Sequence, residues 1–368
     1  MKLKNTIFLW IAFIVSILWS ITIFSQDFRK EAFFYEKLEN KLVQCHLCPK
    51  KCVIPEGKYG FCRARKNIGG TLYAMGYGKP CSVALDPIEK KPFFHFLPGT
   101  TAFSLASAGC SLRCKFCQNW QISQYSPEET ENYDLPPEKV VEYALKYKND
   151  PKYKCSSIAF TYSEPVNFYE YMFDTAKIAK KKGLKNVIHT AGYINPEPLE
   201  KLLPYIDAIN VDLKGFNEQY YRNMCEGDLK TVLNTLKILK KNNIWIEITN
   251  LILPGYNDEP EEIKKMCIWI KENLGEDTPI HFSRFQPMYQ MAHLNPTPQS
   301  TLEKAADVAK NVGLKYVYIG NMWGHLLENT FCPKCKKMVI KRAGYTILEN
   351  NIKDGRCKFC GEKIAGVF

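Results

Sequence analysis

The chain has 368 residues, 46% of them apolar and 24% charged, which is the length and composition of a globular protein with one large domain and small appended regions. The net charge of +12 lies mostly in lysine-rich helical runs such as Lys177–Lys185, which we interpret as solvated helix faces, with weak attraction to an acidic partner or anionic lipid as the alternative. No arginine-rich stretch interleaved with aromatic residues is present, so nucleic-acid binding is not expected.

Fifteen cysteines are many for a chain of this length. Three clusters have the spacing of metal ligands: Cys45, Cys48, Cys52 and Cys62; then Cys110, Cys114 and Cys117; then Cys332, Cys335, Cys357 and Cys360. Such clusters indicate reduced thiols and a reducing compartment, and a secreted protein held by disulfides is the alternative. The others we interpret as small apolar core residues: Cys81, Cys155, Cys225 and Cys267.

The first predicted element is a membrane segment. Thr6–Phe24 carries no charge, and its length at the helical rise is about 28 Å, enough to cross a bilayer. Lys2 and Lys4 precede it, so a signal peptide is the alternative, but no Ala-x-Ala cleavage site follows. We therefore predict an uncleaved anchor over residues 1–26.

A cysteine-rich extension is predicted over residues 27–100. It begins with a short amphipathic linker helix at Asp27–Leu42 and continues into the first cysteine cluster, where glycine turns allow the chain to fold back. Four thiolates at this density favour a closed zinc site, with a second iron–sulfur cluster as the alternative and disulfides if the domain is extracytoplasmic.

Residues 101–325 alternate short apolar strands with helical patterns, which predicts a parallel sheet with helices outside. The run is too short for eight units, so we predict an α/β fold with a partial (β/α)6 TIM-like barrel and active groups at the carboxyl ends of the strands. The predicted strands are Phe103–Ala108, Ser157–Tyr162, Asn186–Thr190, Ala208–Leu213, Trp245–Leu253, Pro279–Phe285 and Tyr316–Ile319. The predicted helices lie near Pro137–Lys148, Phe168–Lys181, Pro198–Leu203, Lys230–Lys240, Pro260–Glu272 and Thr301–Lys310.

Cys110, Cys114 and Cys117 follow the first strand of this barrel at C-x3-C-x2-C spacing, on a loop that begins at Gly109. Thiolates suit iron–sulfur clusters, and three ligands leave one iron of a four-iron cluster open to a non-protein ligand. An open metal position is a catalytic feature. The alternatives are three structural thiols, or three of the four ligands of a zinc site.

The C-terminal region, residues 326–368, has two C-x2-C pairs separated by a β-prone stretch. This pattern predicts a zinc ribbon with Cys332, Cys335, Cys357 and Cys360 as its ligands. Such ribbons also bind nucleic acid or protein, but we interpret this one as structural.

The triad spacing, with Phe116 before its third cysteine, resembles that of radical S-adenosylmethionine (SAM) enzymes. From Cys45 to the C-terminus the sequence resembles the radical SAM enzyme of the AmmeMemoRadiSam system, a family similar to pyruvate formate-lyase activating enzymes. The stretches that carry the resemblance, besides the ribbon, are Cys45–Pro49, Asp86–Pro92, Cys117–Gln124, Tyr162–Pro165, Asp212–Gly215, His281–Phe285 and Tyr318–Asn321.

The resemblance implies that Cys110, Cys114 and Cys117 hold a 4Fe-4S cluster, whose open iron is chelated by the amino and carboxylate groups of SAM. Glu164 takes the place of the motif that meets the SAM amine. Asp212, Lys214 and His281 are implied to line the rest of the SAM site. The chain has His189-Thr-Ala-Gly where the activating enzymes have Asp-Thr-Asn-Gly, which argues against a cation site there.

The implied activity is that of an oxidoreductase that splits SAM to a 5′-deoxyadenosyl radical and abstracts hydrogen from a protein partner, using a low-potential electron donor. The alternatives are radical SAM modification of a small molecule or nucleotide, and a non-catalytic metal-binding interaction protein. Because the chemistry needs SAM and low-potential electrons, we predict a catalytic domain in the cytoplasm, attached to the membrane by the N-terminal segment. Lys2 and Lys4 argue for the opposite orientation, whereas Arg29 and Lys30 support this one.

Overall fold

The computed structural model describes residues 29–368. Six short strands precede the large sheet: β1 Lys30–Glu31, β2 Tyr35–Lys37, β3 Val43–Cys45, β4 Val53–Ile54, β5 Arg65–Ile68 and β6 Thr71–Ala74. They form two antiparallel sheets of three strands, in the orders β1-β6-β5 and β2-β3-β4. The first cysteine cluster therefore lies in a small β-region of its own.

The linker helix predicted at Asp27–Leu42 is wrong over the described residues, where the chain forms β1, β2 and one 3-10 turn at Glu39–Lys41. The rings of Phe33 and Phe34 both contact Tyr169 edge-on, at centroid distances of 6.3 and 5.4 Å. Packing of two consecutive aromatic side chains onto the barrel overrides the helical pattern of this segment.

The centre of the molecule is an eight-stranded sheet whose strands are neighbours in chain order. Seven of them, β8 to β14, run parallel, and β7 pairs antiparallel with β8 at one edge. The strands are β7 Ser82–Pro87, β8 Thr101–Ala106, β9 Cys155–Phe160, β10 Lys185–Thr190, β11 Ala208–Asp212, β12 Trp245–Ile252, β13 Ile280–Arg284 and β14 Val317–Gly320. The predicted parallel strands are all present, and β7 is an edge strand that the sequence analysis did not predict.

In the described residues, six helices of seven or more residues connect the parallel strands: α1 Pro137–Lys148, α2 Tyr169–Lys181, α3 Pro196–Leu202, α4 Leu229–Lys241, α5 Pro260–Asn273 and α6 Gln299–Val312. Two shorter helices, Trp120–Ser123 and Glu218–Tyr220, lie in the connections after β8 and β11. Their apolar positions recur at helical spacing and are buried, as at Val140, Val141 and Ala144 of α1. Six strand–helix units followed by a seventh parallel strand give the α/β arrangement that the sequence predicts.

The segment after β7 packs against the sheet. Phe93 and Phe96 are fully buried in a cluster with Ala102, Ala159 and Val187 of three neighbouring strands. The apolar area removed from water here stabilises the connection between β7 and β8.

The C-terminal ribbon consists of β15 Thr330–Phe331, β16 Met338–Ala343, β17 Thr346–Asn350, β18 Ile352–Lys353 and β19 Arg356–Cys357. Its buried residues, among them Val339 and Ile364, form one cluster with Phe94 and with Tyr318 of β14. The ribbon is thereby attached to the edge of the barrel opposite β7.

The predicted membrane segment, Thr6–Phe24, lies outside the described residues. Within residues 29–368 no helix has the length and apolar character needed to cross a bilayer. Helices α5 and α6 have 14 residues each, whereas a spanning helix needs about 20. We therefore correct three predictions: the membrane-spanning helix in the fold class, the transmembrane description and the membrane-anchored localisation. Of the predicted fold class, the findings support the α/β fold alone.

Candidate functional site

The loop that carries Cys110, Cys114 and Cys117 is held from two sides. Gly109 has a φ of +106°, and a Cβ atom at this position would lie 2.6 Å from the carbonyl oxygen of Cys62, so glycine is required here. On the other side, the backbone N–H of Arg113 donates to the carbonyl of Cys225, at 2.8 Å. The loop is thus fixed between the N-terminal β-region and the segment after β11.

The three thiols have different surroundings. Burial raises the pKa of Cys110 and of Cys117, and Cys117 Sγ lies 3.2 Å from Ser123 Oγ. A hydrogen bond with the Cys225 thiol, helped by the nearby Lys214 ammonium, holds the pKa of Cys114 below its ordinary value. The Cys225 thiol and the Lys214 ammonium thus favour the ionised form of Cys114, against the effect of burial.

The three thiols line one cavity of about 460 Å³ together with groups from the carboxyl ends of the parallel strands. All four residues predicted for the SAM site lie on the same cavity: Glu164, Asp212, Lys214 and His281. The structure therefore brings the triad and these four side chains together, as the shared ends of parallel strands require.

Glu164 is almost fully buried and is oriented by three protein donors. Its Oε1 accepts hydrogen bonds from Thr190 Oγ1 at 2.5 Å and from the backbone N–H of Val166 at 3.2 Å, and its Oε2 accepts from the N–H of Ala191 at 2.8 Å. A carboxylate has about four acceptor sites, so one stays available to a ligand in the cavity. Burial raises the pKa of Glu164, and a cationic ligand would favour its ionised form.

His189, Asp212 and Lys214 form a chain of polar contacts across two strand ends. Asp212 Oδ1 lies 3.0 Å from His189 Nε2, and its Oδ2 lies 3.1 Å from Lys214 Nζ. Burial alone would raise the pKa of Asp212, but Lys214 and His189 hold it well below its usual range. Asp212 is thus paired within the protein, while the Lys214 ammonium keeps donors for an anionic group.

His281 lies on the cavity, but one of its nitrogens is committed to the protein. Its Nε2 lies 2.8 Å from Oε2 of Glu247, which is fully buried. The rings of Phe94 and Tyr318 flank His281, at centroid distances of 4.8 and 5.0 Å. The sequence analysis missed Glu247, although a glutamate inside the apolar strand Trp245–Leu253 was a usable signal.

A second set of polar side chains beside the cavity comes from the end of β7 and the segment that follows it. Lys91 is buried and lies 2.6 Å from Asp86, whose carboxylate also accepts from the Tyr162 hydroxyl. Glu89 is 1% exposed, its Oε1 accepts from the N–H of Gly99, and burial raises its pKa to about 7. These residues belong to a stretch that carried the family resemblance, but the sequence analysis assigned them no role.

Comparison with known proteins shows the family to which this chain belongs. The radical SAM superfamily matches residues 105–267. The chain belongs to the radical SAM superfamily. An uncharacterized protein of Methanocaldococcus jannaschii, MJ0808, is 50% identical over 91% of this chain and 98% of its own length.

Activating enzymes are among the relatives of this radical SAM protein. The pyruvate formate-lyase-activating enzyme of Clostridium pasteurianum is 25% identical over 44% of this chain and 66% of its own length. The pyruvate formate-lyase 1-activating enzyme of Escherichia coli (strain K12) is 20% identical over 57% of this chain and 89% of its own length. The predicted superfamily and the relation to activating enzymes are confirmed.

Among solved structures, a radical SAM methyltransferase from Sphaerobacter thermophilus has a TM-score of 0.49, with 14% identity over 61% of this chain and 68% of that chain.

Membership of the radical SAM superfamily implies a 4Fe-4S cluster and SAM, and the residues of the cavity fit both. In the described part of the chain, three or more metal-binding side chains have ligand atoms mutually within 4.8 Å only in the ribbon. The sulfurs of Cys110, Cys114 and Cys117 are therefore not all within 4.8 Å of one another, which is compatible with ligands of a group larger than a single ion. Glu164 has an acceptor site suited to a cationic group and Lys214 has donors suited to an anionic group, which are the charges that SAM carries at its amino-acid end.

The four ribbon thiols are close together. Cys332 Sγ lies 3.6 Å from Cys360 Sγ, and Cys335 Sγ lies 3.8 Å from Cys357 Sγ. A tetrahedral zinc with Zn–S bonds of about 2.3 Å places its sulfurs about 3.8 Å apart. The ribbon can hold a single metal ion, whereas the thiols of Cys45, Cys48, Cys52 and Cys62 line a different small cavity at wider spacing.

None of the cysteines forms a disulfide, and all of them lie within residues 29–368.

Proposed function

We propose that this radical SAM enzyme holds a 4Fe-4S cluster through Cys110, Cys114 and Cys117 and uses it to cleave SAM for hydrogen abstraction from a protein partner. The observation that carries the proposal is one cavity lined by the three thiols, by Glu164 and by Lys214. In this proposal, residues 101–325 together with β7 form the catalytic barrel, and residues 326–368 form the ribbon.

The cluster, when bound, supplies one electron that splits the sulfonium of SAM into methionine and a 5′-deoxyadenosyl radical, which takes a hydrogen atom from the substrate to give 5′-deoxyadenosine and a substrate radical. Glu164 accepts from the SAM ammonium with its remaining acceptor site. Lys214, held by Asp212 and 5.8 Å from the centroid of the Phe116 ring, donates to the SAM carboxylate beside the cluster loop. Glu164 and Lys214 would thus hold the amino-acid part of SAM beside the cysteine loop, where the cluster would supply the electron.

His281, Lys91 and Tyr162 form other parts of the cavity wall, and Asp86 accepts hydrogen bonds from Lys91 and Tyr162. His281 is held by Glu247 and two aromatic rings. In SAM binding it therefore contributes to the shape of the cavity, and only its other ring nitrogen, Nδ1, is available for a hydrogen bond.

Two observations favour a protein substrate over a small molecule or nucleotide. Two of the relatives, 25% and 20% identical to this chain, are named as activating enzymes of pyruvate formate-lyase. The cavity also extends to Trp323, which is 78% exposed, and to Tyr345 of the ribbon. An exposed aromatic side chain at the rim, beside the junction of β14 with the ribbon, suits contact with a polypeptide segment.

The test is formation of 5′-deoxyadenosine by the full-length protein, reconstituted anaerobically with iron and sulfide, reduced and given SAM. We expect nucleoside from the wild-type chain and from Cys155→Ala, a buried cysteine outside the clusters, and a loss of at least about 100-fold in Cys114→Ala. Wild-type protein that contains the cluster but forms no nucleoside, with or without candidate partner proteins, would contradict the proposal.

We propose zinc as the metal of the ribbon, because its thiols have the spacing of a closed tetrahedral site. Zinc retained by the protein after anaerobic purification, at about one ion per chain, is the expected result. Iron at this site instead would contradict it.

A further inference from the structure

The thiols of Cys45, Cys48, Cys52 and Cys62, which we call the N-terminal quartet, surround a small cavity that also contacts Arg65. Three of the four are buried, and Cys52 is partly exposed. The guanidinium of Arg65 lies 3.6 Å from Cys45 Sγ and is fully buried. A buried cation next to buried thiols is the surrounding that a negatively charged thiolate centre needs.

The spacing of the quartet differs from that of the ribbon in the same molecule. The ribbon sulfurs meet at 3.6 and 3.8 Å, as ligands of one ion do. No three sulfurs of the quartet lie mutually within 4.8 Å, and the same holds for Cys110, Cys114 and Cys117. The quartet therefore has the wider arrangement of the cluster-binding triad and not the close arrangement of a single-ion site.

The quartet and the triad are also direct neighbours. The backbone N–H of Cys110 donates to the carbonyl oxygen of Cys62, at 3.1 Å. Arg113 bridges the same two segments, because its guanidinium donates to the carbonyl of Cys110 at 2.8 Å and to the carbonyl of Phe61. One hydrogen bond and a few covalent bonds thus connect a ligand sulfur of one centre with a ligand sulfur of the other.

Gly109 makes this neighbourhood possible. Its missing side chain leaves the carbonyl of Cys62 and the Cβ of Ala64 at contact distance from the loop, where a Cβ atom would lie 2.6 and 2.9 Å from them. Nothing in the cavity chemistry of SAM requires this contact, since Cys62 and Ala64 do not line the SAM cavity. The close approach brings the segments that carry the two cysteine clusters into direct contact.

We propose that the N-terminal quartet holds a second 4Fe-4S cluster, which passes electrons to the cluster of Cys110, Cys114 and Cys117. An external low-potential, one-electron donor protein reduces the quartet cluster by one electron. That electron moves to the triad cluster, and the quartet cluster returns to its oxidised state, with no bond or proton transferred. Entry occurs near Cys52, the partly exposed ligand. The relay rests on the proposed function of the triad, whereas the metal content of the quartet does not.

The metal assignment is tested with full-length protein in which the triad is removed, C110A/C114A/C117A. After anaerobic reconstitution we expect about four irons and four sulfides per chain from the quartet, about one zinc from the ribbon, and an electron paramagnetic resonance signal on reduction with dithionite. Two zinc ions and no iron would overturn the assignment. Because this variant lacks the triad, the result stands whether or not the wild-type chain cleaves SAM.

The relay is tested with Cys62→Ser, with Cys81→Ser as the matched control outside the clusters, and with Cys52→Ser as a second variant in case Cys62→Ser does not fold. With a reduced ferredoxin as donor, we expect the rate of 5′-deoxyadenosine formation to fall at least about 10-fold in the quartet variant and to stay unchanged in the control. With titanium(III) citrate, a small reductant that reaches the SAM cavity directly, all three proteins should form nucleoside at similar rates. If the quartet variants form nucleoside as fast as the wild-type chain with both reductants, the relay is overturned. Failure of the wild-type chain with both reductants would instead contradict the proposed function.

Discussion

Arg65 and Glu170 form a fully buried ion pair that joins the N-terminal β-region to helix α2 of the barrel. The exposed fractions of their side chains are 1% and 0%. Glu170 Oε1 also accepts from the backbone N–H of Phe33 at 2.6 Å, and Arg65 donates to the Phe33 carbonyl at 2.9 Å. The pair therefore fixes the position of the region that carries the N-terminal quartet.

We expect Glu170→Ala to destabilise the protein by about 3–5 kcal/mol, because it removes the carboxylate that is paired with the buried Arg65 guanidinium. Denaturant unfolding measures the change, with Glu200→Ala on the exposed face of helix α3 as the control. Equal midpoints for the two variants would show that the buried pair does not hold the two regions together.

Glu164→Gln is expected to weaken SAM binding about 10- to 100-fold, because a charge-assisted hydrogen bond to the ammonium is lost. Equilibrium dialysis with SAM measures this directly and does not depend on turnover. Glu142→Gln, on the exposed side of helix α1, is the control. SAM affinity that is unchanged in Glu164→Gln would remove Glu164 from the binding site.

SAM binding should also depend on pH through Glu164. Burial raises the pKa of this carboxyl, so protonation begins at higher pH than for an exposed glutamate. Only the ionised form attracts the SAM ammonium, and the affinity should therefore fall as the pH is lowered toward the acid range. The affinity of Glu164→Gln should be flat over the same range, and a parallel fall in both proteins would assign the effect to another group.

Glu89 should make the protein less stable as the pH rises, whereas most carboxylates in folded proteins have the opposite effect. Its pKa is about 7 in the folded protein, against 4.5 as the ordinary value, so the folded state binds its proton more tightly than the unfolded state. Stability contributed by the neutral form is complete below about pH 4.5 and is lost as the pH rises through about 7, by about 3 kcal/mol. Urea unfolding from pH 5 to pH 8 should show this loss in the wild-type chain and a smaller one in Glu89→Gln. Identical pH profiles would show that Glu89 does not cause it.

Cys357→Ala should release the ribbon metal and loosen the contact of the ribbon with β14, because Cys357 lies in the same buried cluster as Tyr318. We expect loss of about one zinc per chain and faster proteolysis within residues 326–368. Cys81→Ser, outside the clusters, should keep its zinc. Unchanged zinc content in Cys357→Ala would contradict the ribbon as the zinc site.

Local sequence patterns predicted most of the barrel. Helix α1 has the predicted bounds, Pro137–Lys148, because its apolar residues recur at the helical period and a proline begins it. Strand β7 was missed because the stretch around it is rich in prolines and aromatic residues, and its pairing with β8 is a contact between chain segments that no local period records. The linker helix failed for a similar reason, since the contacts of Phe33 and Phe34 with Tyr169 override the local pattern.

Some residues of the candidate site could be recognised from the local sequence, whereas their partners could be recognised only from the tertiary structure. Cys110, Cys114 and Cys117 are close in the chain, so their spacing alone indicates a shared ligand, and Glu164 and Asp212 follow strands whose carboxyl ends must meet. The partners of these residues are distant in the chain. Glu247 beside His281 is recognisable only once strands β12 and β13 are paired.

The sequence by itself determined the chemistry of this protein: which thiols are available, the order of strands and helices, and the polar residues at the strand ends. These follow from residue type and short-range spacing, which the chain carries directly. Only the tertiary structure decided the contact of Cys62 with Cys110, the burial of Arg65 with Glu170, and the different spacing of the three cysteine clusters. Such relationships depend on how remote segments pack, because burial and distance exist only after the chain has folded.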